Sequence, residues 1–251
     1  MEMESVQSDS VVREAKFERG VRSMPLRTLN EQSEKRAIFL TDVDWDLSID
    51  YETPWMPESF LAVSYLPSYQ KLSDRLRLKF NQHYALALCE QFIWFEQDTI
   101  SPILVKIMSD RKLPLDLESA LKNFVKEESL HSEMFWRLLE KAAPELYPTR
   151  KYAFLKYGPK QRFFYKMIIE HYDFFVVWIW MAIYFEEKTL DISSRYQKEI
   201  HEKGESALDP VFSRVHYLHL MDEVRHVQVD QYLLSYFYDM TTSFQRKLTG
   251  I

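Results

Sequence analysis

The chain has 251 residues, a formal net charge of −6, four glycines and a single cysteine. That length suits one large domain or two small ones, and so few glycines leave no phosphate-binding loop or dinucleotide fingerprint. The acidic balance gives no reason to expect a nucleic-acid partner, and one cysteine cannot form an internal disulfide. The longest apolar run, residues 174–185, falls short of the roughly 20 residues that span a bilayer, and no signal-peptide pattern is visible. We therefore expect a cytoplasmic protein with no membrane partner.

The first part of the chain lacks a clear period. Residues 1–41 are mixed polar and charged, and we expect a loose N-terminal arm there, with a helical turn near residues 13–19. Residues 42–66 contain prolines and scattered aromatic residues, which is typical of an irregular segment on a surface. We predict that residues 42–245 form a single helical-bundle domain.

Four later segments place apolar residues at helical spacing. The predicted helices cover about residues 74–109, 116–142, 160–195 and 210–240. Pro144 follows the second segment and Pro210 opens the fourth, as expected for residues that end and begin helices. The pattern predicts an all-α protein built on a four-helix bundle.

The fourth predicted helix carries His219, Glu223 and His226 at positions i, i+4 and i+7. Successive residues of a helix turn by about 100°, so these side chains lie on one stripe. Glu128 and His131 form a similar element on the second helix, away from its charged face. Two such helices, with one Glu from each of two others, build a carboxylate-bridged two-metal centre inside a bundle.

The first and third helices offer the two remaining carboxylates. Glu96 belongs to the apolar stripe of the first helix. Glu96 and Glu128 each lie about 16 residues from the turn near residue 112, so antiparallel packing brings them level. On the third helix Glu186 competes with Glu187, and we favour Glu186 because the wheel centred on it keeps more apolar residues inside.

The predicted metal ligands are Glu96, Glu128, His131, Glu186, His219, Glu223 and His226. Buried carboxylates without partners are costly, and few Lys or Arg lie on these faces, so cations are expected to balance the charge. Carboxylates and imidazoles without thiolates suit iron or manganese better than structural zinc. We expect two iron ions about 3.5–4 Å apart, with O₂ as co-substrate.

Several neighbours of these residues have other expected roles. His216 is about two turns, roughly 10 Å, from Glu223 and is expected to contact the substrate or the ligands rather than the metal. Asp230 lies one turn after His226 and is expected either to orient that imidazole or to form a surface salt bridge. Glu127 and Asp222 each precede a predicted ligand, and we expect them on a solvated flank.

Four motifs occur together: FIWFE at 92–96, EESLH at 127–131, FEE at 185–187, and DP at 209–210 leading to HLMDEVRH at 219–226. With these motifs, residues 42–235 resemble the p-aminobenzoate N-oxygenase family of non-haem di-iron oxygenases. The last motif is the most specific, because ordinary ferritin-like oxygenases have only Glu-x-x-His there. The resemblance implies a ferritin-like fold, a seven-ligand di-iron site and a cytoplasmic enzyme that oxidises aryl amines.

We therefore expect an O₂-dependent oxygenase that N-oxygenates a small aryl or alkyl amine in a biosynthetic pathway. The sequence shows no flavin or Fe–S motif, so an external reductase or a chemical reductant is the expected electron donor. One alternative is a di-iron oxidase or desaturase acting on C–H bonds of an acyl chain or other small substrate. Another is a ferritin-like metal-binding or redox protein without an organic substrate. A homodimer remains open as the assembly.

Overall fold

The computed structural model describes residues 24–174, 177–244 and 247, and within these ranges its regular structure is entirely helical. The α-helices are α1 (Leu26–Lys35), α2 (Pro67–Gln70), α3 (Asp74–Ile93), α4 (Ser101–Asp110), α5 (Leu115–Ala142), α6 (Pro159–Glu170), α7 (Val177–Lys203) and α8 (Pro210–Met240). This architecture confirms the predicted all-α, ferritin-like class. None of the helices in these ranges combines the length and the hydropathy of a membrane span.

The helix predicted at 74–109 contains a π-helical turn. The turn spans Trp94–Ile100 and follows α3 directly, and α4 continues the same rod. The backbone N–H of Ser101 donates to the carbonyl oxygen of Glu96, five residues earlier, instead of four. Such turns shift the register of side chains and are frequent at functional sites. Glu96 therefore lies in the distorted part of this helix.

The prediction of a single third helix over residues 160–195 is wrong in two respects. The chain forms α6 and α7 with turns at residues 171–174 between them, and α7 continues to Lys203 before Gly204 adopts a positive φ of 93°. In the break, the indole N–H of Trp178 donates to the carbonyl of Tyr172 at 2.9 Å. The Tyr172 hydroxyl accepts a bond from Nε of Arg111 at 3.1 Å, which anchors the break to the end of α4.

Two apolar clusters fill the bundle, one on each side of the predicted ligand stripe. Along α8, Phe212 and Leu218 belong to the first cluster, whereas Val229 and Phe237 belong to the second. The residues between them on α8 carry the predicted ligands. Helix α8 packs along α7 and α5, and α5 packs against α3, the π turn and α4. This arrangement surrounds the ligand stripe with helices.

The segments before the bundle are more ordered than the sequence suggested. Residues 26–35 of the expected loose arm form α1, which packs on α5 and α8 through the buried Leu26 and Leu29. The expected helical turn at 13–19 lies outside the described residues. In the irregular segment, Trp55 stacks on Phe212 with ring centroids 4.8 Å apart. Burial of these apolar side chains holds both segments against the bundle.

Candidate metal centre

The structure brings all seven predicted ligands into one interior region. Each of these residues is at most 2% exposed. The π turn supplies Glu96, α5 supplies Glu128 and His131, α7 supplies Glu186, and α8 supplies the rest. Glu187, the rejected alternative on α7, is exposed to solvent.

One group of donor atoms forms around His219. Its Nε2 atom lies 3.0 Å from Oε1 of Glu96 and 2.7 Å from Oε1 of Glu223. Nδ1 of His131 lies 3.4 Å from the same oxygen of Glu223. Glu96, His131 and His219 are close enough together to share a metal ion. The hydroxyl of Ser132 donates to Oε2 of Glu96 at 3.3 Å and holds that carboxylate in place.

A second group forms around His226. Its Nδ1 atom lies 2.9 Å from Oε1 of Glu128, 3.5 Å from Oε2 of Glu223 and 3.9 Å from Oε2 of Glu186. Glu128, His131, Glu223 and His226 could together hold another metal ion. Glu223 thus approaches imidazoles of both groups with its two oxygens, as a bridging carboxylate must.

The donor atoms of this cluster fit a metal because protein groups leave them unsatisfied. Several of these atoms lie within 3 Å of one another, but among the described residues no contact with hydrogen-bond geometry reaches either oxygen of Glu128 or Glu223, either nitrogen of His219, or Nδ1 of His131 and His226. An unsatisfied buried polar group costs about 1–3 kcal/mol. Lone pairs from so many atoms in one place are satisfied together by cations. Oxygen and imidazole donors without sulfur suit iron or manganese.

The electrostatics of Glu96, Glu223 and His219 lead to the same conclusion, whereas ion pairing lowers the pKa of Glu128 and raises the pKa of His131 and of His226. Burial raises the pKa of Glu96 and of Glu223, and neighbouring carboxylates such as Glu128 raise both further. Burial, with the nearby imidazoles, lowers the pKa of His219 well below its usual value. Without a cation Glu96, Glu223 and His219 therefore favour their neutral forms. A bound metal reverses that preference, because it attracts carboxylates and the imidazole lone pair.

Two carboxylates outside the predicted ligand set, Glu127 and Asp222, orient two of the imidazoles. The expectation that they lie on a solvated flank was wrong. Nε2 of His131 lies 3.1 Å from Oδ2 of Asp222, and Nε2 of His226 lies 2.9 Å from Oε2 of Glu127. Arg225 donates to both Asp222 and Glu127. Glu127, which precedes Glu128 on α5, therefore orients His226 of α8. Asp222, which precedes Glu223 on α8, orients His131 of α5. These contacts leave Nδ1 of each imidazole to face the ligand cluster.

Glu127 receives strong support from its surroundings. Burial alone would raise its pKa, but hydrogen bonds from His226 and Ser33 and the charge of Arg225 lower it to about 2. Ser33 lies on α1, so the helix in the expected loose arm reaches the outer shell of the site. In the sequence, the only signal for the role of Glu127 was its position next to Glu128.

His216 and Asp230 are buried at opposite ends of the ligand stripe. The His216 ring stacks on Tyr196 with centroids 4.5 Å apart, and burial lowers its pKa to about 3. It is absent from both donor groups. Asp230 is fully buried and has no hydrogen-bond partner among the described residues. A surface salt bridge is therefore ruled out, and Glu127, not Asp230, bonds His226.

Glu127→Gln is expected to weaken iron binding while the fold survives. The amide keeps the size of the side chain but loses the charge that holds Nε2–H of His226. Loss of such an outer partner typically costs about 10–100-fold in metal affinity. Anaerobic Fe(II) titration measures the change, and Glu118→Gln, which alters an exposed pair with Lys122 on the same helix, is the control. Equal affinity in both variants would show that Glu127 does not support the site.

Comparison with protein families gives a match over most of the chain. The model of the family described as p-aminobenzoate N-oxygenase AurF matches residues 21–251. No curated protein matches the sequence. The match covers nearly the whole chain, including every helix that contributes to the buried Glu and His cluster. The chain therefore belongs to the p-aminobenzoate N-oxygenase AurF family, whose members are oxygenases of the ferritin-like di-iron type.

Proposed function

We propose that this oxygenase N-oxygenates a small aryl or alkyl amine in a biosynthetic pathway. The observation that carries the proposal is the position of His219, whose Nε2 atom lies within 3.0 Å of carboxylates from two other positions in the cluster. A third imidazole gives the centre more nitrogen donors than two Glu-x-x-His elements alone provide. Together with the family match, it favours N-oxygenation over the oxidase, desaturase and storage alternatives.

We infer that two iron ions are held by Glu96, Glu128, His131, Glu186, His219, Glu223 and His226. Convergence of unsatisfied donor atoms from these side chains supports the assignment. Bound iron would supply the one-electron chemistry that the activation of O₂ requires. The remaining electrons are proposed to come from an external reductase or a chemical reductant.

The protein's own contribution is to orient the ligands and to exclude water. Phe92 and Phe135 pack against His219 with ring centroids 5.1 and 5.0 Å away, and Phe124 stacks on His226 at 3.9 Å. These rings restrict rotation of the two imidazoles. They also surround the site with apolar groups, which strengthens its electrostatic interactions and limits hydrolytic side reactions.

We further propose a cytoplasmic location, which the reduced state expected for the lone Cys89 supports. A homodimer is the proposed assembly. Several aromatic side chains on α6 and α7 are exposed, including Phe163 and Tyr184 at 66% and 62%. Exposed aromatic side chains of this size are typical of protein interfaces where they form a continuous patch.

Iron loading followed by turnover tests the proposed function. Anaerobic titration with Fe(II) should reach a plateau of about two ions per chain, as for other two-metal sites. Reduced, loaded protein should then consume O₂ and convert a ring amine to its hydroxylamine or nitro product. Oxidation of a fatty acid but of no amine would favour the desaturase alternative. Consumption of O₂ without an organic product would favour the storage or redox alternative.

A further inference from the structure

A cavity of about 390 Å³ opens to the surface between the π-containing helix and α5. Gln97 and Ser101 line one wall, and Ser129 lines the other. Ser132 and Trp136 lie deepest and are only 3% and 5% exposed. The volume falls within the roughly 300–1,000 Å³ range of small-molecule sites.

A residue at the inner end of this cavity bonds one of the proposed ligands. Ser132 lines the cavity, and its hydroxyl donates to Oε2 of Glu96 at 3.3 Å. Ser129 and Ser132 directly follow Glu128 and His131 in the chain. The cavity is therefore linked to the proposed ligand Glu96 through one hydrogen bond.

The lining suits a ring that carries an amine. The serine hydroxyls and the Gln97 carboxamide offer oxygen atoms that accept hydrogen bonds from N–H groups. Trp136 and Val125 supply apolar surface for the ring. The Trp136 indole is held in place, because its N–H donates to Oε1 of Gln97 at 3.3 Å and its ring stacks on Tyr152.

The charge at the mouth favours an uncharged ring amine. Arg150 is the cationic residue in the described lining, and it is already bound by two carboxylates. Its guanidinium donates to Glu133 and to Glu140, with bonds of 3.0 Å to each. A substrate carboxylate would have to displace one of them, because Arg recognises carboxylates through the same N–H groups.

We propose that this cavity is the entry site of the amine substrate and that it selects uncharged ring amines over ring amines that carry a carboxylate. The inference rests on the proposed function. The amine N–H groups face Ser132, and the ring lies against Trp136. The Ser132–Glu96 hydrogen bond forms the boundary between the entry site and the ligand cluster.

Filling the cavity tests the entry site. Ser129→Trp places an indole at its exposed wall, and Ser119→Trp makes the same change at an exposed position of α5 outside the lining. Equilibrium dialysis under anaerobic conditions measures binding of aniline and of 4-aminobenzoate to the iron-loaded protein. We expect Ser129→Trp to weaken aniline binding by at least about tenfold, and Ser119→Trp to leave it unchanged. In the unsubstituted protein, aniline should bind more tightly than 4-aminobenzoate.

A second variant tests the charge argument without adding bulk. Glu140→Gln removes one partner of Arg150 and should raise the affinity for 4-aminobenzoate severalfold, with aniline unaffected. Equal aniline binding in the two Trp variants would overturn the entry site. An unchanged ratio of the two affinities in Glu140→Gln, or tighter binding of 4-aminobenzoate to the unsubstituted protein, would overturn the selectivity.

The failure of this inference is distinct from the failure of the proposed function. If the unsubstituted protein oxidises aniline and Ser129→Trp retains the same KM, the cavity assignment is wrong and N-oxygenation stands. If aniline binds in the cavity but no amine is oxidised by the iron-loaded protein, the binding site stands and the proposed function is wrong. Failure of aniline to bind the unsubstituted protein would overturn the cavity assignment directly.

Discussion

Glu223→Gln is expected to reduce iron binding from about two ions per chain to less than one. The oxygens of Glu223 lie 2.7 Å from Nε2 of His219, 3.4 Å from Nδ1 of His131 and 3.5 Å from Nδ1 of His226. It thus approaches the imidazoles of both donor groups. A carboxamide is neutral and replaces one acceptor oxygen with a donor NH₂, so it cannot bridge two cations.

Thermal unfolding separates this loss of binding from a loss of fold. A ligand that binds only the native state stabilises it, so Fe(II) should raise the melting temperature of the unsubstituted protein. The melting temperature of Glu223→Gln should not respond to Fe(II). Its iron-free form should be about as stable as the unsubstituted protein, because burial already favours the neutral form of Glu223 and the amide is neutral too. Two bound ions in the variant would show that Glu223 does not bridge them.

Glu187→Gln provides the matched control. Glu187 follows the proposed ligand Glu186 on α7 but is exposed. The Glu187→Gln variant should therefore bind both ions, and its melting temperature should still rise with Fe(II). Loss of iron in Glu187→Gln, with none in Glu186→Gln, would reverse the choice between these neighbours.

Much of the site could be predicted because its residues follow helical periodicity. Two Glu-x-x-His elements on interior faces require only local structure, and antiparallel packing of two adjacent helices brings Glu96 level with Glu128. The π turn around Glu96 was not predicted. An extra residue in a helical turn is unfavourable in isolation, and its stability depends on tertiary packing that a periodic pattern does not encode.

The outer carboxylates were missed for a related reason. Glu127 and Asp222 lie at the edge of the polar face on a helical wheel, where a side chain can meet either solvent or a neighbouring helix. Arg225 bonds both carboxylates, and Ser33 of α1 bonds Glu127. These contacts place the two side chains against neighbouring helices instead of in solvent. The distance along the chain from Ser33 to Glu127 prevents any local pattern from showing this contact.

The break between α6 and α7 carries no helix-breaking residue that would have allowed its prediction from the sequence. Residues 160–195 contain neither proline nor glycine, so no residue in them signals an interruption. The bond to the Tyr172 hydroxyl comes from Arg111, directly after α4, and holds the turn. Glu186 is nevertheless interior, because its position depends on the periodicity of α7 alone.

His219→Ala is expected to remove at least one of the two iron ions and to abolish amine turnover. Nε2 of His219 is the imidazole atom nearest to both Glu96 and Glu223, and alanine offers no replacement ligand. The loss of affinity should exceed the roughly 10–100-fold cost of losing an outer partner. Iron analysis after anaerobic loading and an amine turnover assay measure the two effects.

His216→Ala is a close control because it removes the same side chain from the same helix. His216 also packs against Phe92 and Phe135, with ring centroids 5.9 and 5.5 Å away, so both substitutions leave a similar gap among the same rings. The two variants should therefore lose similar stability without metal, by comparable loss of packing. Only His219→Ala should lose iron, since His216 belongs to neither donor group. The opposite result, with iron lost in His216→Ala and retained in His219→Ala, would assign the third imidazole ligand to His216. Such a result would require a distortion within α8 that brings His216 about one turn closer to Glu223. The proposal of N-oxygenation would then lose the geometry that carries it.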